Sequence, residues 1–253
     1  MKEFVILIPM AGKSSRFYDA GYTLPKFMLD VHGVSVFEIA VSSFKRYFSK
    51  NLFVFIINQD SVVEDFIKNK ITTLGIKNYK IVSLAEPTKG QAETVWKGTD
   101  LISDKKQGLV VFNIDTFRPD YIFPESLETA DGYVEVFKGK GSHWSFIETD
   151  TQDLTKVIRT TEKERISDLC SSGLYYFKSI EIFEEMFLYY KNNNILTRNE
   201  YYVAPMYNYL IQKGSYISFE LISIDNLFFI GTPEEYLHFK GNMTHDSLLR
   251  LME

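Results

Sequence analysis

The chain has only one cysteine, Cys170, among its 253 residues. A single cysteine cannot form an intramolecular disulfide or a cysteine-based zinc site, so neither can stabilise the fold. Long apolar runs are also missing, and no stretch is long enough to span a membrane. The first apolar run, Phe4–Ile8, is too short for a signal peptide and is broken by Pro9. These absences lead us to expect a cytoplasmic protein with no membrane partner.

An excess of basic residues is absent as well. The formal net charge is −5, and this argues against a nucleic-acid partner, because nucleic-acid-binding proteins usually carry a basic surface. The charge is still compatible with a small anionic substrate, since a few local cations can dominate one cleft.

Strand-like and helical patterns alternate through the first 120 residues. The strand-like segments are Phe4–Ile8, Leu52–Ile57, Tyr79–Ser83 and Gly108–Phe112. The segments with helical spacing are Ser35–Phe48, Ser61–Leu74 and Gly90–Leu101. This alternation predicts an α/β fold with a Rossmann-like, mostly parallel sheet and crossover helices. The loops that follow the strands should then share one edge of the sheet, where ligands bind.

The pattern changes from about residue 131 onward. Short strand-like pieces separated by turns predict an antiparallel region, at Gly132–Lys138, Trp144–Thr149, Lys156–Arg159 and Gly173–Lys178. Helical patterns return at Ile180–Tyr190, Tyr201–Lys213 and Pro233–Gly241. No low-complexity linker separates the two parts. We therefore predict a single domain over residues 1–253, in which the half 121–253 closes over the half 1–120.

A loop of small residues follows the first strand. It contains a glycine and two serines, and Arg16 and Lys26 add two cationic side chains. Because the backbone N–H groups of such a loop can approach an anion, it predicts a phosphate-binding loop. The segment Gly12-Lys13-Ser14 imitates the end of a P-loop. That motif needs a glycine five residues before Gly12, where this chain has Leu7.

The order of this strand, the Gly-x-x-x-Arg-Phe loop and the pair Pro25-Lys26 resembles one family. It is similar to the signature of nucleotidyltransferases that join a nucleoside triphosphate to a small phosphorylated metabolite. The segment Gly231–Tyr236 (GTPEEY) resembles the closing motif of the same family, and helix capping explains it without any ligand. The resemblance implies that residues 1–120 bind the nucleotide and residues 121–253 bind the acceptor.

The resemblance also implies which residues bind the nucleotide. Arg16 and Lys26 would be catalytic cations that neutralise the triphosphate. The residues that would contact the nucleotide lie in the opening loop and in a second loop before the helix at Gly90: Ala11, Gly12, Ser14, Ser15, Glu86, Gly90, Gln91 and Ala92. A glycine before a helix is common, so the second loop alone is weak evidence for a nucleotide site. Its distance along the chain from the first loop strengthens that assignment.

An aspartate ends the fourth strand, at Asp115. A carboxylate at this tip of a parallel strand is well placed to hold a hard cation over phosphates, although a lone Asp often only initiates a turn. The family has a Mg²⁺ ligand there, so Mg²⁺ is the expected cofactor. Many relatives have a second metal-binding Asp two residues before the closing Gly-Thr, where this chain has Phe229. Asp225, slightly upstream, is the candidate substitute.

The resemblance places the acceptor in the second half. Lys163 would be a catalytic cation that holds the acceptor phosphate. The other implied acceptor-binding residues are Glu162, Ser172, Gly173, Glu200 and Tyr202. Taken alone, a charge run such as residues 162–168 more often forms a solvated loop.

Within the family, the likeness is greatest to the cytidylyltransferases that load phosphoglutamine in bacterial capsule and surface-polysaccharide biosynthesis. It implies CTP and phosphoglutamine as substrates. One alternative is a sugar-1-phosphate nucleotidylyltransferase that uses UTP, GTP or dTTP. A second is a non-catalytic nucleotide-binding regulatory homologue. A homodimer is expected from the general frequency of such assemblies.

Overall fold

The structure, a computed structural model, describes residues 4–253. The strands are β1 Phe4–Pro9, β2 Asp30–Val31, β3 Val34–Ser35, β4 Leu52–Asn58, β5 Tyr79–Leu84, β6 Gly108–Phe112, β7 Thr116–Phe117, β8 Gly132–Lys138, β9 Ser145–Thr149, β10 Val157–Glu162, β11 Leu169–Phe177, β12 Ile217–Ile222 and β13 Phe228–Phe229. The helices are α1 Ser15–Asp19, α2 Val36–Ser42, α3 Ser61–Leu74, α4 Gln91–Thr99, α5 Ile180–Asn192, α6 Val203–Gln212, α7 Pro233–Asn242 and α8 His245–Leu251.

Four parallel strands form the centre of the main sheet, in the order β6–β1–β4–β5. Alternate side chains of β1 and β4 point into two separate cores because side chains of a strand alternate between its faces. One core contains residues of α2 and α3, and the other contains residues of α4, α5 and α6. Both faces of β1 and β4 are therefore covered, which explains why these two strands are continuous apolar runs in the sequence.

The second half continues the same sheet. Strand β11 lies antiparallel to β6 on one side and to β8 on the other, and β12 adds a parallel edge strand beside β8. The pair β9–β10 joins the amino-terminal end of β11. Because β11 runs against β6, its first residues lie at the edge where the parallel strands end. This arrangement brings residues of both halves to one edge.

A third core closes that edge. It contains residues of α1, α2, β3, β7, α7 and α8, together with Ile230 just before α7. The short strand β13 pairs with β7, so that Phe229 lies opposite Thr116. The chain segment near residue 230 is thereby held against the segment that follows β6.

The predicted fold class is confirmed, and several bounds are as predicted, including those of α3, β6 and β8. Two predictions need correction. The helix predicted at Ser35–Phe48 is the shorter α2 followed by a 3-10 turn at Lys45–Tyr47, and β11 begins at Leu169 rather than Gly173. Gly173 lies inside β11 at a register irregularity, with φ at +92°. The strand therefore bends there instead of starting there.

Within residues 4–253, no helix has both the length and the apolar character that a bilayer crossing requires.

Candidate active site

The opening loop leaves β1 at the edge described above. Its backbone is fixed at Met10, whose N–H donates to Ile56 (2.7 Å), and at Ala11, whose carbonyl oxygen accepts from Asn58 Nδ2 (2.9 Å). Gly12 and Ser15 are exposed, and a Cβ at Gly12 would meet no atom within 4 Å. The loop thus presents an open backbone surface in front of the strand ends.

Lys26 connects this loop to the candidate metal ligand. The hydroxyl of Ser14, which has a left-handed backbone, accepts from the N–H of Lys26 (3.3 Å). The Lys26 Nζ lies 2.6 Å from Asp115 Oδ2, and the two side chains are 22% and 25% exposed. The predicted cation and the predicted acid are therefore neighbours that solvent can reach.

The pKa of Asp115 is lowered. Burial acts to raise it, but the Lys26 ammonium and its hydrogen bond act in the opposite direction and outweigh it. The charge of Arg16 lowers this pKa further, so Arg16, Lys26 and Asp115 belong to one electrostatic cluster. At neutral pH Asp115 is an ionised carboxylate, which is the form that a cation requires.

The closing motif lies directly behind Asp115. The N–H of Ile230 donates to the Asp115 carbonyl oxygen (2.8 Å), and a Cβ at Gly231 would lie 2.8 Å from Asp115 Oδ2. Only glycine leaves the carboxylate this room. Asp225 lies in an exposed 3-10 turn, where its carboxylate accepts from Ser223 Oγ (3.1 Å). Its assignment as a second metal ligand stays a prediction.

Mg²⁺ is commonly held by one or two carboxylates together with substrate phosphates. Asp115 fits this role, because it is ionised, partly exposed and flanked by the loop that predicts phosphate binding. Over residues 4–253, no group of three or more His, Cys, Asp or Glu side chains gathers in a way that could hold a metal ion. A substrate phosphate or water could supply the further oxygen ligands of a cation on Asp115.

The second loop packs against the segment before α6. At Gly90, φ is +118°, and a Cβ would lie 2.7 Å from the Tyr201 carbonyl oxygen and 2.8 Å from its nitrogen. Tyr201 also exchanges hydrogen bonds with Lys89 and Ala92. The space beside Gly90 is thus occupied by protein backbone. Ala92 is fully buried in a core, whereas Glu86 is exposed.

Asn113, which the sequence analysis did not assign, links the two halves. Its side-chain oxygen accepts from Gln91 Nε2, and its backbone N–H donates to the Gly173 carbonyl oxygen (3.1 Å). A Cβ at Gly173 would lie 2.4 Å from Asn113 Nδ2. Gly173 is therefore required where the two segments touch. Ser172, the residue before Gly173, is buried, and the Ser172 side chain faces the protein interior.

The predicted acceptor residues form a second cluster. Lys163 Nζ donates to Tyr202 Oη (2.8 Å) and lies 3.7 Å from Glu162 Oε1. Glu162, only 7% exposed, accepts from Ser145 Oγ. Burial raises the pKa of Glu162, although Ser145 and Lys163 act to lower it. Glu200, two residues before Tyr202, is exposed in the tight turn 197–200.

Arg198 is a further cation that the sequence analysis missed. It sits in the turn 197–200 with a left-handed backbone, and its guanidinium donates to the Lys163 carbonyl oxygen (3.3 Å). Its charge also lowers the pKa of Glu162. The signal in the sequence was the dipeptide Arg198-Asn199, since Asn is one of the residues that tolerate such a backbone.

The fold and site define an α/β protein with a mostly parallel central sheet and antiparallel strands in its second half. Comparison with solved structures agrees with this description. A nucleoside-diphosphate-sugar pyrophosphorylase from Vibrio cholerae RC9 is 46% identical, and the match covers 94% of this chain and 100% of that one with a TM-score of 0.90. An inositol-1-phosphate CTP transferase from T. maritima has a TM-score of 0.72, and the match covers 100% of this chain and 96% of that one. The two sequences are 11% identical, so this likeness is evidence for the fold alone.

No protein-family model matches the chain, and no curated protein sequence matches it. The Vibrio cholerae relative is nevertheless similar over its whole length. The chain belongs to the sugar-phosphate nucleotidyltransferase family.

Proposed function

We propose that this protein is an active nucleotidyltransferase that transfers NMP from an NTP to the phosphate of a small metabolite, with release of pyrophosphate. The observation that carries the proposal is the cluster of Arg16, Lys26 and Asp115 at the same sheet edge as Lys163. One cluster can bind the triphosphate, and the other can bind a second phosphate. A regulatory protein that only binds nucleotide would not need the second cluster.

The proposed reaction needs no general base. A phosphate oxygen of the acceptor is already anionic, and it attacks the α-phosphorus of the NTP while the bond to pyrophosphate breaks. Catalysis then depends on positioning and on neutralisation of charge. Arg16 and Lys26 neutralise the triphosphate and the leaving pyrophosphate, and Lys163 holds the attacking phosphate. Mg²⁺ held by Asp115 would supply further neutralisation of the phosphate oxygens.

The substrate pair has two candidates. The sequence likeness favours CTP and phosphoglutamine, in capsule or surface-polysaccharide biosynthesis. The name of the 46%-identical relative, a nucleoside-diphosphate-sugar pyrophosphorylase, favours a sugar 1-phosphate with UTP, GTP or dTTP. Both candidates use the same residues for the phosphates. They differ in the base and in the organic part of the acceptor.

The test is a matrix of four NTPs against phosphoglutamine, phosphocholine and hexose 1-phosphates, with pyrophosphate release as the readout. We expect turnover with one NTP–acceptor pair, and we expect EDTA to abolish it. Nucleotide binding without pyrophosphate release from any pair would instead favour the non-catalytic alternative.

A further inference from the structure

Helix capping explains the closing motif as far as Glu235, but it does not explain Tyr236, the last residue of the motif. Tyr236 is 5% exposed, and its ring lies in the third core. Its hydroxyl donates to the Asp30 carbonyl oxygen at 2.6 Å. A core position needs only an apolar ring, so this hydroxyl requires an explanation of its own.

The Tyr236 hydroxyl holds the segment that carries Lys26. Lys26 opens a 3-10 turn that ends two residues before Asp30, so Asp30 and Lys26 belong to one short, folded segment. Lys240, one helical turn after Tyr236, donates from Nζ to the same Asp30 carbonyl oxygen (2.7 Å). Two donors from α7 therefore fix the chain four residues after Lys26.

The ring of Tyr236 contacts the segment that carries Arg16. The ring centroid lies 6.3 Å from that of Phe17 and 5.7 Å from that of Tyr22, both edge to face. Phe17 and Tyr22 also pack edge to face with each other, at 5.5 Å. Aromatic pairs of this kind have a preferred geometry. Because Phe17 directly follows Arg16 in α1, the three rings fix the backbone beside this cation.

The helix that carries Tyr236 begins behind Asp115. The N–H of Ile230, three residues before α7, donates to the Asp115 carbonyl oxygen (2.8 Å). The Tyr236 N–H donates to the Thr232 carbonyl oxygen (2.9 Å) in the first turn of α7. One side chain thus contacts both cation-bearing segments from the helix that lies against the acid.

We propose that Tyr236 is a positioning residue for the reaction, which holds the segments of Arg16 and Lys26 in register with Asp115 so that one triphosphate can contact all three groups. This inference rests on the proposed function. Tyr236 is buried, so it acts through these segments and not by contact with the substrate. Its hydroxyl acts through Lys26, and its ring acts through Arg16.

The test compares two tyrosines whose buried hydroxyls donate to backbone carbonyl oxygens. Tyr236→Phe removes the hydroxyl and keeps the ring. The matched control is Tyr207→Phe, since the Tyr207 hydroxyl donates to the carbonyl oxygens of Tyr133 (3.0 Å) and Tyr176 (2.9 Å). Tyr207 lies against Gly132, the first residue of β8, at the sheet edge opposite the candidate site. A purely structural role predicts the same behaviour of both variants.

The first measurement does not depend on the base of the NTP. Magnesium pyrophosphate, which contains the leaving group of the proposed reaction, is the probe in calorimetric titrations. We expect Tyr236→Phe to bind it about fivefold more weakly than the wild type, and Tyr236→Leu, which also loses the ring contacts, at least about twentyfold more weakly. Tyr207→Phe should bind it as the wild type does. In turnover, Tyr236→Phe should lower kcat/KM for the NTP about fivefold and leave the KM for the acceptor unchanged.

A Lys26→Ala background shows whether the hydroxyl acts through Lys26. There Tyr236→Phe should weaken pyrophosphate binding by less than about twofold, because the cation that it positions is gone. A fivefold effect in both backgrounds would overturn the inference, and so would equal binding by Tyr236→Phe and Tyr207→Phe. Should Tyr236→Phe not fold, Lys240→Met removes the other donor to Asp30 and should weaken binding about twofold. Unchanged binding by Lys240→Met would then count against the inference.

The proposed function fails separately. If the wild type binds magnesium pyrophosphate but no NTP–acceptor pair gives turnover, the reaction is refuted, and the binding data still decide the role of Tyr236. If turnover occurs and Tyr236→Phe behaves like Tyr207→Phe, the reaction stands and the positioning role is refuted. A wild type that does not bind magnesium pyrophosphate would overturn both.

Discussion

Two acid–base pairs lie close together in this molecule, and they are built in opposite ways. The pair Lys26–Asp115 has an N–O distance of 2.6 Å, with about a quarter of each side chain exposed. The pair Arg118–Glu135 has a distance of 3.2 Å, and its members are 16% and 0% exposed. Asp115 and Arg118 are only three residues apart. We call Lys26–Asp115, which is partly exposed at the candidate site, the open pair. We call Arg118–Glu135, which is largely shielded from solvent, the buried pair.

The pKa values of the two acids move in opposite directions. Burial acts to raise the pKa of Asp115, but the charges of Lys26 and Arg16 and the hydrogen bonds to the carboxylate together outweigh it, so this pKa is lowered. The pKa of Glu135 is raised, because burial outweighs the Arg118 charge and the hydrogen bond from Ser172. A partly exposed pair can exchange partners with a ligand at low cost, whereas a buried pair cannot. We therefore expect the first pair to serve turnover and the second to serve stability.

The largest effect is expected for Lys26→Ala, which removes a cation from the open pair. Turnover should fall by about 10²–10³-fold, as for other groups that stabilise charge in a transition state. Stability should fall by ~1 kcal/mol or less, because the pair is partly exposed. Pyrophosphate release and urea unfolding measure the two quantities.

The matched control is Lys50→Ala, which removes an exposed cation just before β4, at the opposite edge of the sheet. It should change neither quantity. Near-normal turnover of Lys26→Ala would contradict the role assigned to the open pair.

The next effect is expected for Arg118→Met, which leaves Glu135 buried without its cation. We expect a loss of ~3 kcal/mol in the free energy of unfolding at pH 8. The backbone N–H of Arg118, which donates to Ser43 Oγ, is kept in this variant.

The loss should depend on pH with a defined sign. The pKa of Glu135 is raised in the folded state, so proton binding by Glu135 favours the folded state. This contribution to stability is fully present below the unfolded pKa and is lost as the pH rises through the folded pKa. Removal of Arg118 raises that pKa further. The destabilisation by Arg118→Met should therefore be smaller at pH 5 than at pH 8. An equal loss at both pH values would mean that Glu135 is not the group left unpaired.

The difference between the two pairs also shows what the sequence can predict. Lys26 and Asp115 were each selected from the sequence because they follow local rules, a small-residue loop after a strand and a single acid at a strand end, but their contact was not predicted. The buried pair joins β8 to the chain after β7, and nothing in the local sequence links them. Likewise β7 and β13, of two residues each, are too short to show a period.

The edge strand β12 and the last helix α8 were not predicted either. β12 is a sheet edge whose sequence, ISFELI, mixes polar and apolar residues, and only its pairing with β8 defines it. At the site, Gly90 makes room for the Tyr201 backbone, which the sequence did not predict, and its contact with a nucleotide stays a prediction. Glycine signals a close approach, but the approaching group comes from long-range packing.

A third prediction disturbs the open pair without any change of charge. The Cβ in Gly231→Ala would lie 2.8 Å from Asp115 Oδ2, so the carboxylate must move. We expect turnover to fall about tenfold, because small displacements at a reacting centre are costly. The control is Gly241→Ala in α7, where a Cβ meets no atom within 4 Å. That variant should keep its activity and gain about 0.5–1 kcal/mol of helix stability. Equal activity of the two variants would argue against the importance of the Asp115 position.

The smallest effect is expected at the helix cap that holds Gly231 in place. Thr232 Oγ1 accepts from the Glu235 N–H (3.2 Å), and Glu235 Oε2 accepts from the Gly231 N–H (2.9 Å). Thr232→Ala removes only the first of these bonds, so we expect a loss of about 1 kcal/mol in stability.

Glu235 still holds the backbone of Gly231 in this variant, so turnover should fall by less than about threefold. Thr244→Ala is the equivalent change at the cap of α8. It should lower stability by a similar amount and leave turnover unchanged. Thermal unfolding and pyrophosphate release would compare the two caps. If Thr232→Ala lost as much turnover as Gly231→Ala, then the position of Asp115 would depend on the whole cap, and the open pair would be as strongly constrained by the fold as the buried one.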